Sequence, residues 1–189
     1  MIHIPARHLA VVAVAYLAGA ILYPHLQEGM PYKLMIAFFL PTMALLTYGL
    51  LDGLWKRDPI RPRDARLEAT YDLIVFRIVL FIDAIHVVVV FGLLGVAGVV
   101  RPVVPLLKRV VPILLGLAFI AIGNLLPRMK PNVVIGIRTS RALADPGVWS
   151  RTNRVAGYVA VALGAVLVVS GAILPWQPAG QVIGAAGVA

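Results

Sequence analysis

Two ionisable side chains lie deep in an apolar segment, Asp83 and His86 in "LIVFRIVLFIDAIHVVVV". Residues three apart on an α-helix share a face, so the carboxyl and imidazole groups are predicted to be neighbours. Ionisable groups near a bilayer midplane are unfavourable unless they are paired or hydrated. Three interpretations stay open: a proton relay, a counter-ion site for a cationic ligand, or a structural hydrogen-bonded pair facing the interior of a helix bundle. Arg77, nearer the end of the segment, is predicted to anchor its guanidinium at the interface.

A second group of polar residues follows the fourth apolar segment, in "GNLLPRMKPNVVIGIRTSRALADPGVW". Pro127 is predicted to end that segment, and Pro131 restricts the residue before it, so the chain should leave the membrane as a rigid extended strip. Gly136 permits a turn or a close backbone approach. Asp145 and Pro146 are typical of a helix start, as N-cap and first helical residue. The sequence therefore predicts a structured loop.

The cations of this loop have three uses that the residues leave open. They can set the topology of the membrane protein while touching anionic lipid heads. They can hold a phosphate-bearing lipid or metabolite, for which Arg138 is the best candidate because a guanidinium contacts phosphate through two hydrogen bonds. They can also form a docking surface for a cytosolic protein.

Composition indicates the elements that must position these groups. The 189 residues are 61% hydrophobic and only 13% charged, and the mean hydropathy is +0.94, which is typical of an integral membrane protein. The apolar blocks approach the ~20 residues that a membrane-spanning helix needs. We predict an all-α membrane protein, a five-span transmembrane helical bundle with a structured cytoplasmic loop between spans four and five. The predicted spans are 8–23, 33–55, 73–100, 104–126 and 155–174.

These spans divide the chain into three parts. Residues 1–55 form an N-terminal two-span hairpin, and residues 56–72 form a cytoplasmic connector that mixes cations with acids. The tail of this connector has helix-forming residues and can continue into the third span. Residues 73–189 form a three-span region that contains the loop 123–157.

The cations of the connecting segments predict the orientation. Twelve lie on one side and four on or near the other, and the cation-rich side of a membrane protein faces the cytoplasm. The N-terminus is therefore predicted to be cytoplasmic and the C-terminus to lie outside. The twelve are Arg7, Lys56, Arg57, Arg61, Arg63, Arg66, Arg128, Lys130, Arg138, Arg141, Arg151 and Arg154.

Other classes of chemistry have little support. The chain has no cysteine, and its four histidines are scattered without the spacing of metal ligands. It carries no recognised catalytic motif. We expect no catalytic residue, metal or cofactor, and we attribute the net charge of +9 to topology rather than to direct nucleic-acid binding.

The loop resembles the signature of the SdpI family, bacterial multi-pass membrane proteins that include an immunity protein against a secreted toxin. Two features depart from that signature: Ser140-Arg141 replace a Pro-Trp step, and Asn153 replaces a histidine. The resemblance rests on Gly123, Asn124, Pro127, Lys130, Asn132, the Gly136-Ile137-Arg138-Thr139 run, Leu143, Trp149, Arg154 and Gly157.

The resemblance implies a plasma-membrane protein that protects a bacterium from a membrane-active peptide toxin and signals through a cytosolic repressor held at the membrane. The expected partners are then the lipid bilayer, a peptide toxin, and a cytosolic repressor or anionic lipid. The alternatives are a small proton-coupled transporter or lipid-handling protein using Asp83 and His86, and a structural subunit of a membrane complex. The expected ligand-binding or partner-binding residues are Asn124, Lys130, Asn132, Arg138, Thr139, Trp149 and Arg154.

Overall fold

The structure, a computed structural model, describes residues 5–26, 32–97, 99 and 104–173, with the backbone alone for 96 and 104–108. Regular structure in this part of the chain is entirely helical. Short 3-10 turns follow the first and fourth α-helices, at Tyr23–His25 and Leu126–Arg128. The α-helices are α1 (Ala6–Leu22), α2 (Lys33–Arg57), α3 (Ala65–Val96), α4 (Val104–Gly123), α5 (Ser140–Ala144) and α6 (Pro146–Ile173).

Five helical stretches are long and apolar enough to cross a membrane, which confirms the predicted five-span architecture. They are Ala6–His25, Lys33–Arg57, Ala65–Gly95, Arg109–Arg128 and Pro146–Ile173. The short helix α5 lies in the connection between the fourth and fifth stretches. The ends predicted at 100 and 174 lie outside the described residues.

Two helices begin earlier than the apolar pattern indicates, because polar caps set their first residues. α3 begins at Ala65, where the Asp64 carboxylate accepts from the Arg66 amide at 2.8 Å. α6 begins at Pro146, because Asp145 Oδ1 accepts from the amides of Gly147 and Val148 at 2.7 and 3.2 Å. This second start confirms the predicted Asp145-Pro146 cap.

α4 ends at Gly123, three residues before the predicted end of its span. The Leu125 amide donates to the Ile122 carbonyl at 2.9 Å and so leaves Ala121 O without its helical donor. The guanidinium of Arg77, on α3, donates to this carbonyl. Arg77 was predicted to anchor its guanidinium at the interface, and the structure adds that this guanidinium caps the end of the neighbouring helix.

The helices pack as a three-helix group, α1, α2 and α3, joined through α3 to the pair α4 and α6. The pair is close because glycines face each other. A Cβ built on Gly164 would lie 2.5 Å from Gly116 O, and one on Gly157 would lie 2.7 Å from Gly123 O. Small residues at facing positions let two helix backbones approach where larger ones would hold them apart.

Candidate functional site

Most charged side chains gather at one end of the bundle, where α1, α3 and α6 begin and α2 and α4 end. We call this the cationic end. Several polar contacts tie it together across the helices. Arg7 pairs with Asp72, and Lys130 pairs with Asp64, while the Asp58 carboxylate accepts from the amide of Val133 at 2.8 Å. The connector after α2 and the loop before α6 therefore form one surface.

Asn132 organises the first half of the loop. Its side chain is buried, and Oδ1 accepts from the amides of Val134 and Ile135 at 2.9 and 2.7 Å. Its Nδ2 group donates to the carbonyls of Lys130 and Ile135 at 2.9 and 3.1 Å. An amide side chain offers two donors and one acceptor oxygen, so Asn132 is fully used in closing the turn.

The second half of the loop is held on the first turns of α6. Trp149 is buried, and its indole donates to the carbonyl of Met129 at 2.7 Å. Asn153 is also buried; its Oδ1 accepts from the Ile137 amide at 2.8 Å and its Nδ2 donates to Trp149 O at 3.1 Å. Sequence reasoning marked Asn153 only as a departure from the family signature, yet it joins the loop to the helix.

Gly136 lies between these two buried side chains with a φ of +117°. A Cβ at this position would meet Asn153 Oδ1 at 2.5 Å and the Trp149 ring at 3.1 Å. The predicted close approach at Gly136 is therefore confirmed, and both the backbone conformation and the lack of space call for glycine.

The remaining part of the loop is shaped by local caps. The Arg138 guanidinium donates to the carbonyl of Val133. The Thr139 hydroxyl accepts from the Ala142 amide at 3.1 Å and caps α5. The chain leaves α4 through a 3-10 turn before it becomes extended at Met129, so the predicted extended strip begins later than Pro127.

The residues predicted to bind a ligand or partner fall into two groups. Asn132 and Trp149 are buried, so they act on any ligand through the shape of the loop. The other group is exposed: Asn124, Lys130, Arg138, Thr139 and Arg154. Within the described residues, no acidic side chain pairs with the exposed cations Arg128, Arg138, Arg141, Arg151 and Arg154.

Asp83 and His86 lie on α3, in the three-helix group of α1, α2 and α3, with 2% and 1% of their surfaces exposed. The backbone of Ala15 in α1 lies beside His86. Within the described part of the chain, the two carboxylate oxygens of Asp83 have no hydrogen-bond partner. The Nε2 atom of His86 also has none. The two side chains are thus neighbours along α3 without being the hydrogen-bonded pair that one interpretation expected.

His8 is a buried polar residue that sequence reasoning did not select. It is 1% exposed, its ring centroid lies 4.8 Å from that of Tyr48 and 5.3 Å from that of Phe76, and its Nε2 lies 3.7 Å from Asp72 Oδ1. These neighbours belong to α2 and α3. No spacing near His8 could have indicated them; the only signal is that His8 shares a helix face with buried Val12.

Comparison with known proteins supports the resemblance that was predicted from the loop sequence. The chain matches no curated protein and no solved structure. A family model described as the SdpI/YfhL protein family matches residues 128–189, a range that includes Asn132, Gly136, Trp149 and Asn153. This match confirms the resemblance predicted from the signature, and it covers the part of the signature that begins at residue 128.

Proposed function

We propose that this protein gives a bacterium immunity or resistance to a membrane-active peptide toxin. It lies in the inner membrane, with the N-terminus and the cationic end in the cytoplasm and the C-terminus outside. The family match over residues 128–189 supports an immunity-type membrane protein. The excess of cations at one end supports the orientation.

The folded loop is the observation that carries the proposal. A segment that only connected two helices would not need three buried polar side chains, Asn132, Trp149 and Asn153, to hold its shape. The loop presents exposed cations, Arg138 among them, on a surface fixed by those residues. In this proposal the bundle engages the toxin from the outer side, and the loop signals to a cytosolic repressor or contacts anionic lipid.

Expression in a toxin-sensitive bacterium tests the proposal. Cells making the protein should survive a secreted membrane-active peptide that depolarises control cells. Arg138→Ala should abolish protection, while Arg141→Ala, which removes the same charge from the neighbouring helix α5, should keep it. Immunoblots of the membrane fraction establish equal amounts of each variant. Equal sensitivity of cells with and without the protein, across such peptides, would contradict the proposal.

The buried carboxylate of Asp83 favours a second candidate, a small proton-coupled transporter or lipid-handling protein. An unpartnered acid inside a span is unfavourable, and such acids commonly mark ion or substrate pathways. This function requires that proton-coupled uptake or lipid flipping in liposomes disappears with Asp83→Asn. If Asp83→Asn has no effect on flux or on protection while Arg138→Ala abolishes protection, this candidate loses its support.

A further inference from the structure

A cleft of about 440 Å³ opens at the cationic end between the first turns of α3 and the turn that follows α4. Its volume is within the ~300–1,000 Å³ of ordinary ligand pockets. Leu67, which is buried, contributes an apolar part of the wall. The polar lining consists of Asp64, Arg66, Thr70, Arg128 and Lys130.

The charges of this cleft suit an anion. Asp64, the acidic residue of the lining, is hydrogen-bonded to Lys130, so the charges of these two side chains compensate each other. Arg66 and Arg128 are exposed and have no acidic partner within the described residues. Two guanidinium groups from separate helical segments thus border one cleft with their charge uncompensated. Guanidinium groups are suited to phosphate because they donate parallel hydrogen bonds to two oxygens.

The depth of the cleft matches that of lipid headgroups. The third apolar stretch has 31 residues and is about 46 Å long at ~1.5 Å per residue, which exceeds the ~30 Å hydrocarbon layer. Three of its charged residues, Arg66, Glu68 and Asp72, lie in the first turns, so the excess length projects at the cationic end. Arg128 ends a 20-residue stretch that spans about 30 Å. Both guanidinium groups therefore lie at or just beyond the hydrocarbon boundary.

We propose that this cleft binds a phosphate group, held between Arg66 and Arg128 with Lys130 beside it. The phosphate belongs to an anionic phospholipid headgroup or to a soluble phosphate; both present the same oxygens to the guanidinium groups. This cleft does not include Arg138, the residue that the loop sequence favours for binding phosphate. It does not depend on toxin immunity.

Lipid retention by the full-length protein tests the site. The protein is placed in nanodiscs of phosphatidylcholine containing phosphatidylglycerol, and bound lipid is measured by native mass spectrometry after release. We expect phosphatidylglycerol to be retained in preference to phosphatidylcholine. The double substitution Arg66→Gln with Arg128→Gln should weaken retention by about 30-fold, since one cation near an anionic surface contributes about fivefold.

Two further variants make the test specific. Arg141→Gln with Arg151→Gln removes the same charge from the same end but outside the cleft, and should weaken retention less than the substitutions within the cleft do. Asp64→Asn removes the acid of the cleft while keeping a side chain that caps α3 well, and should strengthen retention about fivefold.

A second measurement separates the two sources of phosphate. Inorganic phosphate is titrated into the detergent-purified protein and followed by phosphorus NMR. Binding that Arg66→Gln with Arg128→Gln removes would identify a soluble phosphate; retention of phosphatidylglycerol that inorganic phosphate does not displace would identify the headgroup. The proposal is overturned if neither probe binds selectively, if both double variants weaken binding equally, or if Asp64→Asn does not strengthen it.

Discussion

Replacing Gly136 by alanine should open the folded loop. The backbone at this position has a φ of +117°, and holding a residue with a Cβ in such a region costs about 1–3 kcal/mol. The new Cβ would also lie 2.5 Å from Asn153 Oδ1, so the side chain must move and its hydrogen bond to the Ile137 amide is lost. A buried polar group left without its partner costs about 1–3 kcal/mol. Together the two terms destabilise the closed loop by about 2–6 kcal/mol.

Hydrogen exchange followed by mass spectrometry measures this opening directly. In the native loop the amides of Val134, Ile135 and Ile137 donate to asparagine side chains, so they should exchange slowly. In Gly136→Ala they should exchange about 30-fold faster or more, since every ~1.4 kcal/mol is a factor of ten.

Gly53→Ala is the matched control, because a Cβ at this position of α2 meets nothing within 4 Å. Alanine is favoured over glycine inside a helix by about 1 kcal/mol, so this variant should leave exchange in the loop unchanged. If Gly136→Ala also leaves it unchanged, the loop is not held by the contacts of Asn153, and the reasoning fails.

Three further predictions concern packing, pH and orientation. Gly164→Ala forces apart α4 and α6, because its Cβ would lie 2.5 Å from a facing backbone carbonyl; overpacking costs about 1–3 kcal/mol, so the thermal unfolding temperature should fall, unlike that of Gly53→Ala. The pKa of Asp64 lies below its usual 3.8, mainly because Lys130 donates a hydrogen bond to the carboxylate and secondly because a backbone amide does so. The ionised carboxylate therefore stabilises the fold above pH 3.8, and this stabilisation is lost as the pH falls through the pKa of the folded state. Wild type should therefore unfold at a higher temperature than Asp64→Asn near neutral pH, and the difference should vanish in stronger acid; a constant difference would contradict this. Because the chain has no cysteine, Arg141→Cys should react with a membrane-impermeant maleimide in inverted vesicles and not in intact cells; labelling of intact cells would reverse the proposed orientation.

Local sequence patterns were sufficient to predict the membrane-spanning helices of the fold. Apolar blocks of membrane-spanning length predict five helices because the bilayer requires each crossing segment to satisfy its own backbone groups. The start of α6 was predictable because Asp145 caps its own helix. The connector tail was predicted to continue the third span as a helix, and α3 does begin within it, at Ala65. The apolar pattern did not give this first residue, because hydropathy reports only the part of a helix that crosses the hydrocarbon.

The candidate site was predictable only in part. The glycine at 136 and the loop that it belongs to were recognisable, because a glycine among prolines and cations indicates a shaped turn. The sequence did not distinguish the buried Asn132 and Trp149 from the exposed Arg138, because burial depends on which helix lies against the loop. Asn153, the residue that joins loop and helix, was visible only as a substitution in a pattern.

The amino-acid sequence by itself determined the helical class, the five spans, the excess of cations at one end and the resemblance over the loop, since each depends on composition or on residues close together in the chain. Only the tertiary structure decided that His8 lies against Tyr48 and Asp72, and that Arg66 and Arg128 border one cleft. The partners in both cases belong to different helices and are far apart in the chain. Their meeting follows from how the helices pack, which local periodicity and capping do not specify.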